Sequence, residues 1–199
     1  TQKKWRDYFK GTSAHNTLRV DGYDQSVSGG NFLSVKHAAA RVLEFASGGG
    51  EDRLIAEHEG YRRLADPVLH RRELRYNHPA RTLQVIDELH CRGEHDIEIF
   101  WHLSDKCAVN VAGQRVFVRD GSSELTLHAP ASMDVGHIKG EENPPLGWIS
   151  RSFDSRVPCS TIRMSTRISG NARFETTIIV NFAPASANDT ANVPARETL

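Results

Sequence analysis

The sequence has no excess of either charge and no long apolar segment. Its 199 residues include 25 basic and 25 acidic side chains, so the formal net charge is zero. Nucleic acids and anionic membranes attract a net basic surface, and we therefore expect neither as a partner. No apolar run approaches the roughly 20 residues of a membrane span. The N-terminal segment TQKKWRDYFKG also lacks the apolar stretch of a signal peptide.

Cysteine is scarce as well. Cys91, Cys107 and Cys159 are far apart and include no CxxC pair. They offer neither the spacing of a zinc finger nor a disulfide framework, and they can form one bridge at most. The 10 histidines show no HxxxH or HExxH spacing. From these patterns we predict no metal site and no cofactor.

What the chain has in abundance is strict alternation of apolar and polar residues. In HDIEIFWHL, from His95 to Leu103, every second residue falls on one face, and SELTLHA, CSTIRMSTRI and ARFETTIIVNF follow the same period. A period of two is typical of half-buried strands. Similar segments lie near 15–21, 33–46, 53–61, 68–76, 81–90 and 113–119. We predict about a dozen strands in total.

Glycine-rich turns separate these segments, and few residues favour helices. The one helix-like stretch, KHAAARVLEFA at 36–46, can also alternate, and we interpret it as a strand. The Pro-Pro pair of GEENPPLG, 140–147, predicts a rigid loop without strand pairing. So many antiparallel strands without helices must pack on one another. The sequence therefore predicts an all-β fold, an antiparallel β-sandwich.

The two ends of the chain differ in composition from its middle. Residues 1–10 resemble a linker, and we expect the chain to be a piece of a larger protein. Residues 11–182 hold the predicted sandwich, whose length suits one domain. Residues 183–199, APASANDTANVPARETL, lack large apolar side chains, which predicts a disordered tail.

The stretch GTSAHNTLRVDGYDQS, residues 11–26, places a His-Asn pair at the start of the predicted sandwich. Leu18 and Val20 are the apolar residues of its short strand. Alternation from them places Asn16 inward and His15 outward. An outward histidine is either an ordinary surface residue or a group that faces another domain or a ligand.

The same stretch resembles the start of the C-terminal β-domain of the heparinase II/III-like family of polysaccharide lyases. The similar features are the aromatic-Arg lead, the Ala-His-Asn-Thr run, the Val-Asp-Gly turn, Asp-Gln-Ser, and a Gly-Gly before an apolar strand. Later segments that resemble the family are GYRRLADPVLHRRELRY, RTLQVIDEL and IFWHLS. The similarity covers most of residues 5–180.

The resemblance implies a bacterial parent enzyme, periplasmic or secreted, that is built from two parts. An N-terminal helical toroid carries most catalytic groups, including a tyrosine, and the β-domain closes one side of the cleft. The reaction is β-elimination at a uronic acid of an acidic polysaccharide, such as a glycosaminoglycan or alginate. We expect this chain, which lacks amphipathic helices, to be a catalytically incomplete domain. The alternative is a carbohydrate-binding or structural β-sandwich that does no chemistry.

The resemblance also implies roles for residues near the chain start. His15 matches the histidine that the β-domain offers to the cleft, and it is the predicted catalytic residue, since imidazole titrates near neutrality. Asn16 is first a strand-edge or turn-bonding group and second a substrate-binding residue. Gln25, in the turn that follows, can bind sugar hydroxyls.

Further candidates for substrate binding lie later in the chain. Arg72 can hold a uronate or sulfate with two hydrogen bonds, although strand arginines more often face acidic partners. His70, two residues before Arg72, is a further candidate for substrate binding. In some relatives a histidine at this position binds zinc together with a second histidine. This chain has Thr17 in place of the second histidine, so we expect no metal. Trp148, after the Pro-Pro pair, can stack on a sugar ring. Trp101, on an apolar face, belongs to the core.

We expect the isolated chain to fold and to show no lyase activity, because it has a full set of strands and no toroid. Circular dichroism should give a β spectrum with a cooperative melt. The ultraviolet absorbance of unsaturated uronate should stay flat when the chain is mixed with heparan sulfate or alginate. Clear turnover by the pure chain would overturn this prediction.

Overall fold

A computed structural model describes residues 3–29 and 34–182 of the chain. This part holds one α-helix, one 3₁₀ turn (Thr12–Ala14) and 18 strands. The helix is α1 (Lys3–Lys10), and the strands are β1 (Leu18–Val20), β2 (Val27–Ser28), β3 (Ser34–Lys36), β4 (Ala40–Gly48), β5 (Glu51–His58), β6 (Leu69–Asn77), β7 (Thr82–His90), β8 (Glu94–His102), β9 (Ala108–Ala112), β10 (Arg115–Asp120), β11 (Ser123–His128), β12 (Asp134–Lys139), β13 (Glu141–Glu142), β14 (Pro145–Leu146), β15 (Trp148–Ile149), β16 (Val157–Pro158), β17 (Ser160–Ser169) and β18 (Ala172–Phe182).

Two antiparallel sheets face each other and enclose one core. The small sheet has the order β1-β8-β17-β12, and the large sheet has the order β4-β5-β6-β7-β18-β11-β10-β9. Leu18, Ile99 and Ile162 of the small sheet meet Val85 and Leu127 of the large sheet, and each is at most 1% exposed. The predicted all-β sandwich is therefore confirmed. No helix in the described part of the chain is long and apolar enough to cross a membrane.

Strand β8 shows how alternation builds this core. His95, Ile97, Ile99 and Trp101 all lie on its buried face, as predicted. Phe100 points the other way, yet it is fully buried too. A second layer of apolar side chains covers it, so the outer face of the small sheet is not open to water as simple alternation suggests.

Helix α1 supplies part of that second layer. Trp5 and Tyr8, three residues apart and so on one helix face, pack with Phe100, Ile138 and Leu146. We predicted a linker without a helix for residues 1–10. The structure has helix α1 there, so this part of the prediction was wrong. An eight-residue helix has too few turns to be stable alone, so its order comes from this packing. Whether the segment connects to a further domain stays a prediction.

Other predictions can be compared with the described strands. The ambiguous 36–46 segment leads into β4, so the strand interpretation is confirmed. The 140–147 segment was predicted to be unpaired, but β13 and β14 pair there, with Glu142 opposite Pro145. A proline is tolerated in so short a ladder because few of its residues must donate hydrogen bonds. Residues 183–199 lie outside the described part of the chain.

Strand β4 forms one edge of the large sheet, with β5 on one side and no strand on the other among the described residues. All nine of its residues are exposed, including Val42 at 63% and Phe45 at 69%. The register shifts between Val42 and Glu44, which makes Leu43 the residue of a β-bulge. The edge is therefore long, partly apolar and locally irregular.

Replacing Phe100 with alanine should destabilise the chain strongly, because the side chain is 0% exposed between the small sheet and α1. Emptying a buried phenylalanine site costs about 3–5 kcal/mol of unfolding free energy. Phe153→Ala is the matched control, since Phe153 is 95% exposed and its loss should cost no more than about 0.5 kcal/mol. Urea unfolding followed by tryptophan fluorescence measures both. Equal costs would contradict the burial of Phe100.

Candidate functional site

The His-Asn pair lies on a turn that precedes the first strand. The 3₁₀ turn ends at His15, whose backbone N–H donates to the carbonyl of Thr12 at 3.1 Å. The carbonyl of His15 accepts from the N–H of Thr17 at 2.9 Å. His15 is exposed, as predicted, but Asn16 is exposed as well. The inward position predicted for Asn16 was wrong, because β1 begins at Leu18 and strand alternation does not extend back to the turn.

Asn16 ties this turn to both sheets. Its side-chain oxygen accepts from the backbone N–H of His102, at the end of β8, at 2.7 Å. Its backbone carbonyl accepts from Nη1 of Arg72, on β6, at 2.7 Å. Asn16 is thus a strand-edge bonding group, the first of its two predicted roles. The amide oxygen it would use for a sugar is already engaged.

Arg72 is itself held by a buried carboxylate. Its Nε and Nη2 donate to the two oxygens of Asp87 at 2.7 and 2.9 Å. Asp87 is 1% exposed and lies directly opposite Arg72 in the β6–β7 ladder. Burial alone raises the pKa of Asp87, but Arg72 and His70 outweigh it and hold that pKa well below its usual range. The pair is ionised, with the carboxylate buried and the Arg72 side chain 19% exposed.

Two histidines extend the network from Asp87. His70 Nε2 lies 2.6 Å from Asp87 Oδ1, His70 Nδ1 lies 2.9 Å from His58 Nε2, and the N–H of Gly60 points to His58 Nδ1 at 3.2 Å. Because Gly60 can only donate, His58 must donate to His70, and His70 must donate to Asp87. Burial first, and then the charges of His70 and Arg72, lower the pKa of His58 to about 4.

These contacts decide two of the predicted binding roles. His70 is 2% exposed and bonds through both ring nitrogens, so a substrate-binding role is not compatible with its position. Arg72 uses three donor atoms inside the protein and acts as a brace between Asp87 and Asn16. The sequence suggested that Arg72 faces an acidic partner, and Asp87 is that partner.

His102 holds the other side of the turn. Its Nε2 lies 2.9 Å from the carbonyl oxygen of Ser13, and its Nδ1 lies 2.9 Å from Oγ1 of Thr161. The carbonyl can only accept, so Nε2 carries the proton and the Thr161 hydroxyl donates to Nδ1. Burial lowers the pKa of His102, and the neighbouring His15 lowers it further. A neutral histidine therefore fixes the backbone two residues before His15.

Gln25 closes the turn from the opposite end. Its backbone N–H donates to Thr12 Oγ1 at 2.8 Å, and its Nε2 donates to Thr17 Oγ1 at 2.8 Å and to the carbonyl of Leu18 at 3.3 Å. The side-chain amide predicted to bind sugar hydroxyls thus donates to the residues that follow His15, and the backbone N–H of Gln25 bonds to Thr12, which precedes it. Thr17, in turn, accepts a hydrogen bond where some relatives carry a ligand histidine.

Trp148 lies away from this turn, in the layer under α1. Its ring packs edge-on against Trp5 with centroids 5.1 Å apart, and its Nε1 donates to the carbonyl of Glu141 at 2.7 Å. The Arg156 guanidinium lies 5.5 Å from its centroid. Trp148 is half-buried and serves packing first. Trp101 is buried in the core, as predicted.

The functional network was only partly visible in the sequence. His58, Asp87, His102 and Thr161 were not singled out, because none belongs to a recognisable spacing. The register of the predicted hairpins was the available signal, since it sets His58 opposite His70 and Arg72 opposite Asp87. The network holds the residues around His15 in place by hydrogen bonds and leaves the His15 side chain exposed.

Comparison with known proteins bears on this arrangement. The family model described as "Heparinase II/III-like, C-terminal" matches residues 1–187. The chain belongs to the heparinase II/III-like family and corresponds to its C-terminal region. No curated protein matches it in sequence.

Solved structures show the same fold. The heparan sulfate lyase HepC from Pedobacter heparinus matches with a TM-score of 0.72 and 15% identity over 92% of this chain. A structure described as heparinase III matches with a TM-score of 0.72 and 18% identity over 96% of this chain. The matched region is 26% of each longer protein. This chain therefore spans about a quarter of their length.

The stability of the chain should fall below neutral pH through His58. Because the pKa of His58 drops from 6.5 to about 4 on folding, the unfolded chain binds a proton in a range where the folded chain does not. This contribution is complete above pH 6.5 and is lost as the pH falls towards 4. It amounts to at most about 3 kcal/mol.

Urea unfolding at pH 7.5 and at about pH 5 measures the effect. His58→Gln should reduce the difference between the two pH values, whereas His137→Gln, at an exposed position, should keep it. A wild-type pH dependence in His58→Gln would contradict the assignment.

Proposed function

We propose that this chain is the β-domain of a polysaccharide lyase that cleaves uronic-acid-containing polysaccharides by β-elimination. It presents His15 to a cleft formed with an N-terminal helical domain of the parent protein. Family membership supports the lyase class, and the names of the matching structures favour a glycosaminoglycan such as heparan sulfate as substrate. A periplasmic or secreted location is part of this proposal, supported by the resemblance to bacterial lyases.

The observation that carries the proposal is the bracing of an exposed turn. Groups from three separate parts of the chain hold the turn around His15: His102 bonds to Asn16 and Ser13, Arg72 bonds to Asn16, and Gln25 bonds to Thr12 and Thr17. A histidine that only contacts water needs no such support. A proton-transfer group does, because its ring must stay within hydrogen-bonding reach of the reacting atom.

The braces also divide the predicted residues by role. In this proposal His15 is the residue that touches substrate, where it moves a proton or stabilises charge on the uronate. Asn16, Gln25 and Arg72 are positioning residues, since their polar atoms bond to the turn. The remaining groups of the reaction, including the tyrosine, come from the helical domain.

A non-catalytic sugar-binding module is the second candidate. A cavity of about 610 Å³ beside α1 favours it. Lys3, Arg6 and Lys10 line this cavity together with Tyr23, which is 55% exposed, and Asp7, whose carboxylate pairs with Lys3 and Arg6. Cationic side chains next to an exposed aromatic ring suit an acidic sugar.

His15→Ala separates the two candidates. In the isolated chain it should change the unfolding free energy by no more than about 0.5 kcal/mol, because the side chain is exposed. In the parent lyase the same change should lower the rate of β-elimination by about 10²- to 10⁴-fold. The loss should fall on kcat if His15 acts in the transition state and on KM if it only holds substrate.

His137→Ala, at another exposed position on β12, is the matched control and should leave both quantities unchanged. A parent enzyme that keeps full activity with His15→Ala would refute the catalytic role. It would leave the sugar-binding module as the better candidate.

A further inference from the structure

A second cluster of reactive side chains lies outside the His15 turn. Asp66 is in the loop between β5 and β6, Cys91 directly follows β7, and His95 is on β8. One carboxylate oxygen, the Cys91 sulfur and one imidazole nitrogen lie within 4.8 Å of one another. These are three different donor types, contributed by three separate segments.

His95 is oriented as metal-binding histidines are. Its Nδ1 lies 2.7 Å from a carboxylate oxygen of Asp21, and its Nε2 points to Asp66 at 2.9 Å. A histidine that binds a metal usually donates its other ring N–H to a carboxylate, which fixes the ring. Asp21 is fixed in turn, because its second oxygen accepts from the backbone N–H of Asp96 at 2.9 Å. The ring is 4% exposed and enclosed on β8.

Asp66 is preorganised as well. Its Oδ2 accepts from the backbone N–H groups of Arg92 and Gly93 at 3.0 and 2.7 Å. A Cβ at position 93 would approach this oxygen to 3.2 Å, so glycine lets the backbone come close. The backbone N–H of Cys91 bonds to the side chain of Asn171 at 3.1 Å, which fixes the third segment.

The cluster borders an open cavity of about 910 Å³. Asp66 and Cys91 are among its lining residues, and the buried His95 lies next to both of them. A ligand from solvent can therefore reach the donors. An imidazolium between two carboxylates would explain Asp21, His95 and Asp66. The Cys91 thiol, which donates to the carbonyl of Gly170 at 3.0 Å, adds a third donor type within reach of both His95 and Asp66.

We propose that Asp66, Cys91 and His95 form a binding site for a transition-metal ion of the zinc class. Oxygen, sulfur and nitrogen donors together suit such an ion, and three protein ligands leave a fourth position open to the cavity. Donors on a tetrahedral zinc lie about 3.3–3.7 Å apart, so the cluster must contract by roughly an ångström at its widest. On binding, the Cys91 thiol proton and the His95 Nε2 proton leave to solvent.

The site is independent of the lyase proposal, since it shares no group with the His15 turn. It also differs from the His70 and Thr17 positions, where the sequence argued against a metal. Spacing could not reveal it, because Asp66, Cys91 and His95 are brought together by three separate elements.

Cobalt(II) titration of the purified chain tests the proposal directly. A thiolate bound to cobalt gives a near-ultraviolet charge-transfer band, which should saturate at one ion per chain and disappear when zinc is added. Cys91→Ser should abolish the band, and Cys107→Ser, at the other half-buried free cysteine, should keep it. Zinc affinity, measured by competition with a chromophoric chelator, should fall about 10- to 100-fold in Asp21→Asn, which changes the partner of His95 and leaves the three ligands in place.

The wild-type chain alone can refute the proposal. No saturable cobalt band, or zinc binding no tighter than in Cys91→Ser, would leave the cluster as an ion triad around His95. Circular dichroism of each variant shows whether it is folded, and the wild-type titration decides the matter even if a variant is not.

Discussion

The ion pair between Arg72 and the buried carboxylate of Asp87 is the contact on which the candidate site depends. Both residues lie in the large sheet, on neighbouring strands. The third donor of the guanidinium reaches across to the carbonyl of Asn16, where the chain enters the small sheet. One side chain therefore couples the interior of one sheet to the turn that carries His15.

Such a pair constrains everything around it, because a buried charge must be compensated by charge and hydrogen bonds. Asp87 accepts three hydrogen bonds, two from Arg72 and one from His70. The direction of the last bond fixes the tautomer of His70 and then that of His58, back to the main chain at Gly60. A proton added to the Nδ1 atom of either ring would break one hydrogen bond of this series.

Much of the fold was predictable because alternation is a local property. Strand β18 carries a clear period of two, and burial follows it from Phe174 to Ile178. Burial alternates in the same way from Glu94 to Ile99 on β8. Helix α1 was missed because its order comes from packing on Phe100, which no local pattern records. The pairing of β13 with β14 was missed because proline disfavours strands in general but is compatible with a two-residue edge.

The candidate site was predictable in outline and not in detail. The exposed position of His15 followed from the residues, whereas the catalytic role assigned to it rests on the family resemblance. The roles of its neighbours depended on long-range contacts: Asn16 is engaged by His102 and Gln25 by Thr12, residues that only the folded chain brings together. Polar residues that a sequence suggests for ligand binding, such as Asn16 and Gln25, can instead form the hydrogen bonds that hold a turn.

The edge strand β4 has a consequence for handling the domain in solution. No strand among residues 3–29 and 34–182 pairs with its outer edge, and this edge with its exposed Val42 and Phe45 forms a template onto which another chain can add a strand. The bulge at Leu43 and the charges of Arg41 and Glu44 oppose this, but those charges are paired within the sheet, with Glu57 and Arg53. Salt screens what repulsion remains. Concentrated samples should therefore be most prone to fibrous association at high ionic strength. Salt there weakens the electrostatic repulsion between copies of the edge, whereas its apolar side chains stay exposed.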